Sequence, residues 1–144
     1  MVLVYNARLS THDVDAIVIN QEKAPEVRRY AKVVAEEMGW PEDWLNDGVK
    51  GFMVGISFGN VIYSAPGVTV RTPEVAQLLA MKLSAWRDDV DIEDSSCLLQ
   101  ALMKSKAFNV EAVWSKIEPY ITPEQKLKAR YALLDLWETV YGDY

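Results

Sequence analysis

Cysteine is nearly missing from this chain. Cys97 stands alone among 144 residues, and His12 is the single histidine. A lone thiol excludes an internal disulfide, and one Cys with one His cannot supply a zinc site of the usual spacing. Cys97 lies in the apolar stretch Ser96-Cys97-Leu98-Leu99 and is expected to be a buried free thiol. No apolar run is long enough to cross a membrane, and no signal-peptide pattern is visible, so the cytoplasm is the expected compartment. Basic residues are also scarce: 15 Lys and Arg against 21 Asp and Glu give a net charge of −6, which argues against a broad basic face for nucleic acid. There is no Ser/His/Asp trio, no Walker A loop and no G-x-G-x-x-G. What is present is a globular composition, half hydrophobic and a quarter charged, with five Trp and seven Tyr. The length suits one domain with a real core.

No linker or repeat divides the chain, but its character changes near Thr72: strands and a helix mix before it, helices dominate after it. Val14 to Ile19 reads as an internal buried strand, because β-branched residues dominate it. Pro25 to Met38 reads as a helix with Val27, Ala31, Val34 and Met38 on one face, closed by Gly39. Trp40 to Asp47 follows as a turn or a single helical turn. Phe52–Val54, Ile56–Phe58, Val61–Tyr63 and Val68–Val70, punctuated by glycines and Pro66-Gly67, read as short strands or hairpins. Thr72-Pro73 opens a helix with the stripe Val75, Leu79, Leu83 and Trp86. A further helix starts at Asp91 or Asp94 and runs to about Lys106. Asn109 caps another, and the capping box Thr122-Pro123-Glu124-Gln125 opens the last, which Gly142 ends. The pattern is α+β, a small mixed sheet followed by a helical half.

Four features bear on chemistry. Asp13 and Asp15 form a D-x-D, and positions two apart on a strand point the same way. Two hard oxygen ligands aimed together suit Mg²⁺ that also carries phosphates. On pattern alone, a polar turn capping an ordinary strand is the commoner outcome. His12 falls on the opposite face and reads as exposed rather than catalytic. Lys82 sits inside an apolar stripe, where it must snorkel, pair with a carboxylate or meet a phosphate; snorkelling is the commonest fate. Asp91 and Asp94, in the acidic run after Arg87, share a helix face and are placed to meet Lys82 or Arg87. The fourth feature, Trp44-Leu45-Asn46-Asp47, reads most simply as an anchored turn.

Four stretches in this order resemble the nucleotidyltransferase superfamily, in particular the small bacterial group similar to AbiEii-type toxins of abortive-infection and toxin–antitoxin systems. They are Arg8 to Ala16 around the D-x-D, Trp44 to Asp47 with Lys50-Gly51-Phe52, Leu78 to Leu83 around Lys82, and Arg87 with Asp91 and Asp94. The resemblance implies a small mixed sheet with helices on one side, followed by helices. It implies transfer of a nucleotide monophosphate from a nucleoside triphosphate to tRNA or protein. Asp13, Asp15 and Lys82 would be the catalytic residues, the two aspartates holding Mg²⁺, and Ser10, Thr11, Asn46, Lys82 and Arg87 would meet substrate; period-two geometry and the sheet-facing side of the Lys82 helix are expected to bring Asp13, Asp15 and Lys82 to one cleft. Two departures stand out. The Gly-Gly or Gly-Ser turn that precedes the D-x-D in the family is absent, Met1 to Arg8 matching the helix that follows it. No third acid occurs on Val61-Ile62-Tyr63 or Gly67 to Arg71. The expectation is an N-terminally truncated, weakly active or inactive relative of nucleotide-transferring toxins. The alternatives are an active Mg-dependent nucleotidyltransferase or a non-catalytic dimeric interaction module. A homodimer, formed through Leu3, Val4, Tyr5 and the helix Leu127 to Tyr141, is expected, and an antitoxin or other protein is a further candidate partner. No membrane partner is expected.

Overall fold

The computed structural model describes residues 13–51, 53–104 and 109–142, which form five α-helices and four short strands. Ser10, Thr11 and His12, and the helix expected at the start of the chain, lie outside the described residues. The chain gathers into two compact units, one spanning Ser10–Gly51 and the other including Phe52–Tyr144. The division falls some twenty residues before the change of character read near Thr72, so a strand pair travels with the helical part.

In the Ser10–Gly51 unit, strand β1 (Val14–Asp15) pairs in parallel with β2 (Leu45–Asn46), and helix α1 (Ala24–Met38) connects them. Val14 N–H donates to the Trp44 carbonyl at 2.6 Å and Ala16 N–H to the Asn46 carbonyl at 2.8 Å. This corrects two expectations. The strand is two residues rather than six, with Val14 and Ile19 exposed, and the segment around Trp44 contributes a strand rather than only a turn. Val14 to Ile19 ends early because it has a single partner strand: β-branched residues favour a strand only where a covering face rewards them. Helix α1 buries Ala24, Ala31 and Ala35, leaves Val27 and Val34 half-buried and exposes Met38. Gly39 closes it in the left-handed region at φ 67°, where a side chain would be strained. Trp44 covers the helix, its indole N–H donating to the Ala31 carbonyl at 2.8 Å and its ring meeting Trp40 edge-on at 5.3 Å.

In the other unit, β3 (Val61–Ala65) and β4 (Val68–Arg71) form an antiparallel hairpin. Pro66-Gly67 makes its turn, with Gly67 at φ 83°. Among the described residues, the expected mixed sheet is thus two separate two-stranded sheets, and residues 53–58 are not strand. Four helices follow: α2 (Val75–Ser84), α3 (Asp88–Lys104), α4 (Val110–Ile117) and α5 (Lys126–Tyr141). Their buried side chains, Leu79 and Leu83 of α2, Leu98 and Leu99 of α3, Val113 and Ile117 of α4, Leu133 and Leu136 of α5, make one continuous core. Asn109 caps α4 as expected, its side-chain oxygen accepting from Ala112 N–H at 2.8 Å. Two other expected caps do not form. α2 begins at Val75, beyond Thr72-Pro73, because Thr72 belongs to the hairpin base: its carbonyl, which an N-cap would give to the helix, accepts Gly59 N–H at 2.8 Å, and its N–H donates to the Asn60 carbonyl at 3.0 Å. Thr122 makes no side-chain cap; Pro123–Gln125 is a 3₁₀ turn, and its carbonyl accepts Gln125 N–H instead. Cys97 is free and half-buried rather than fully buried.

Candidate functional site

The most strongly charged buried cluster joins the end of α2 to the start of α3. Lys82 lies on α2 three residues after Leu79, so helical periodicity turns its stem toward the core. Its Nζ donates to Asp94 Oδ2 at 2.9 Å and approaches Asp91 Oδ1 at 3.4 Å. The carboxylates are deeply buried, with side chains only 3% and 4% exposed, whereas Lys82 keeps 24%. Asp91 Oδ2 also accepts the Arg87 backbone N–H at 3.0 Å and the Arg87 Nε at 3.3 Å. The order along the chain is favourable as well: the cation stands in the last turn of α2 and the acids near the beginning of α3, each matching the sign of its helix end. Of the three fates open to Lys82, the structure selects carboxylate pairing. Asp91 and Asp94, read as sharing a face, do share it.

The second group of expected residues lies in the Ser10–Gly51 unit. The β1–β2 register sets Asp15 directly opposite Asn46. Asp13 and Asp15 are exposed. Asn46 spends its side-chain oxygen on the Gly48 N–H at 3.0 Å, an Asx turn that opens the 3₁₀ segment Gly48–Gly51. Beside it Asp47 pairs with Lys50 at 2.8 Å and Arg28 at 3.5 Å. The hydrogen bond and charge of Lys50 hold the Asp47 carboxyl below its ordinary value, with Arg28 adding to the effect. Asp13, Asp15 and Asn46 therefore belong to one compact unit and Lys82 and Arg87 to the other. Among the described residues there is no group of three His, Cys, Asp or Glu arranged to hold a metal ion.

One organising residue was not anticipated. Gln77 is fully buried and satisfies its whole amide. Its nitrogen donates to the Val54 and Gly55 carbonyls at 3.2 and 3.0 Å, and its oxygen accepts from the Ser57 N–H at 2.9 Å and from the Ser57 hydroxyl. Ser57 Oγ in turn accepts Glu74 N–H at 2.8 Å, at the start of α2. Gln77 shares a helix face with Ala80 and Ser84, and a polar side chain lined up with small buried residues was the available signal. Near the start of α2, Glu74 accepts from the Tyr120 hydroxyl at 3.3 Å; burial, with that carboxylate nearby, pushes the phenol above its ordinary value.

Neither a family model, nor a curated protein, nor a solved structure matches this chain.

Proposed function

We propose that the chain is a non-catalytic, self-associating interaction module related to the nucleotidyltransferase superfamily. The observation that carries this reading is the state of Lys82. A lysine that receives a triphosphate must present its ammonium to the incoming phosphates. Here two buried carboxylates already hold that ammonium, at 2.9 and 3.4 Å, and withdrawing it would take from both buried groups a cation they share, which is costly in a buried setting. Lys82 on this reading ties two helices together. Arg87 shares in the same tie through Asp91.

One observation favours the alternative of a Mg-dependent nucleotidyltransferase acting on tRNA or protein: Asp15 stands opposite Asn46. In that reading Asp13 and Asp15 would hold Mg²⁺, which would neutralise charge developing at the transferred phosphoryl group. Two exposed carboxylates suit such an ion only weakly, since most of an octahedral shell would remain water.

The deciding assay offers labelled nucleoside triphosphates with Mg²⁺ or Mn²⁺ to the protein, a tRNA pool and a lysate, beside the double variant Asp13→Ala, Asp15→Ala. No label transfer is expected. Transfer that disappears in the variant would overturn the module reading and install the enzyme.

A further inference from the structure

Residues 53–58 form a bare strap, neither helix nor strand, that leads into the β3–β4 hairpin. The attachment of strap and hairpin to the helices differs in kind from the packing inside the bundle. No side chain of residues 53–71 belongs to the bundle core or to the apolar layer packed on it. Every residue of β3 and β4 except Ala65 is exposed, and neither strand makes an extensive contact with a helix. An open cleft of about 330 Å³, lined in part by Gly59, Asn60, Thr72 and Glu74, remains between the hairpin base and the start of α2.

What holds the strap is polar. Among the described residues, the hydrogen bonds from residues 53–72 to the helical part all pass through two side chains, Gln77 of α2 and Ser57 of the strap. Gln77 holds the Val54 and Gly55 carbonyls with its nitrogen and the Ser57 N–H and hydroxyl with its oxygen, while Ser57 Oγ holds the Glu74 N–H. Gly55 lies in the left-handed region at φ 70°, a bend that lets two successive carbonyls face one amide nitrogen. A Cβ there would meet nothing within 4 Å, so glycine is needed for the backbone angle and not for space.

A clasp of this kind is either shut or open. Half withdrawn, the strap would leave a buried amide without partners, which is costly. Fully withdrawn, it hands the same donors and acceptors to water, so the net loss is small. A leucine in place of Gln77 would lose its apolar burial on opening and would resist it. The bundle keeps its core throughout, because none of that core comes from the strap or the hairpin. Segments with few buried apolar contacts are those that open locally while the rest stays folded.

We propose that residues 53–58 are a strap latched on α2 by Gln77, which opens and closes while the bundle stays folded and, when open, loosens the hairpin from its helical base. The latch is independent of whether the chain transfers nucleotides or binds a partner.

Native-state hydrogen exchange on the full chain, read residue by residue by NMR, tests it. The Ser57 and Glu74 amides, both held by the clasp, should exchange at least tenfold faster than those of Leu99 and Leu133 in the bundle. Gln77→Ala should speed both clasp amides at least a further tenfold and leave Leu99 and Leu133 within about threefold. Glu74 is the decisive reporter, because its N–H bonds to Ser57 and never touches Gln77. Gly55→Ala, which strains the bend and leaves α2 intact, should speed the same two amides several-fold, and it decides the matter if Gln77→Ala does not fold. Clasp amides that exchange as slowly as the bundle in wild type would overturn the latch. So would a rise at Ser57 without Glu74 in Gln77→Ala, an equal rise in the bundle, or no change at either clasp amide in Gly55→Ala.

Discussion

The helical bundle and the Ser10–Gly51 unit contain similar kinds of apolar residue but use them differently. In the bundle, leucines from α2, α3 and α5 point inward together with Val113 and Ile117 of α4, and these eight large side chains lose all contact with water. In the smaller unit the fully enclosed positions are the alanines of α1, while Val14, Ile19, Tyr30, Val33, Met38 and Trp40 stay exposed. The difference is one of partners rather than hydrophobicity. Four helices can enclose one another's stripes, whereas one helix and two residues of parallel ladder offer too little surface to cover what they carry. Stability should accordingly reside in the bundle.

The sharpest test compares deletions of similar size on the two sides. Leu133→Ala, at the fully buried centre of α5, should cost about 2–5 kcal/mol in denaturant unfolding, because transfer energy and a cavity add. Met38→Ala on α1, at a side chain 57% exposed, should cost less than about 1 kcal/mol, since little transfer energy is lost there. Equal costs would mean that Met38 is covered in solution and would break the contrast.

The next effect separates the two kinds of charged group. Lys82→Met strips a shared cation from two buried carboxylates and should destabilise by about 2–4 kcal/mol, the lower part of the range reflecting its partial exposure. Adding Asp94→Leu to that variant should recover a large part of the loss, as a double-mutant cycle would show. Asp15→Ala, at an exposed carboxylate, should fall within about 0.5 kcal/mol. If Lys82→Met proved as mild as Asp15→Ala, Lys82 would not be the tie described here, and the argument that its ammonium is committed would fail.

The legible parts of the sequence were those where one segment decides its own conformation. The span of α1 emerged from periodicity and Gly39, and the cap of α4 from Asn109, because these signals act within a turn. Asp91 and Asp94 were readable for the same reason, as acids three apart on one helix face, and Lys82 stood out inside an apolar stripe; that Lys82 pairs with them rather than snorkelling is decided between two helices. Val14 to Ile19 misled because strand length is set by the partner, and β2 offers only Leu45 and Asn46. Thr72 misled because its carbonyl was taken by Gly59 across the hairpin base, and Ser57 satisfies Glu74 N–H. Both outcomes depend on residues more than ten positions away, which local reading does not reach. Asp13 and Asp15 fall in one compact unit and Lys82 in the other, a division that the order of motifs along the chain does not show.

The smallest expected effect lies at Asp47, and it measures how little an exposed pair contributes compared with the buried one. The Lys50 hydrogen bond and charge lower its carboxyl from 3.8 in the folded chain, with Arg28 assisting. A group whose folded value is depressed adds stability above its unfolded value, and that contribution disappears as pH falls through the folded one. The window therefore lies below about pH 4, and nothing should change near neutrality. Lys50→Met should move the Asp47 titration, followed by carboxyl-carbon NMR, upward toward 3.8, while Arg28 keeps it from returning fully. The midpoint of acid unfolding should not shift measurably, because water screens an exposed pair on both sides. A clear loss of acid stability in Lys50→Met would show that the Asp47 corner is held more tightly than its exposure implies, and would narrow the contrast between the two units from the opposite side.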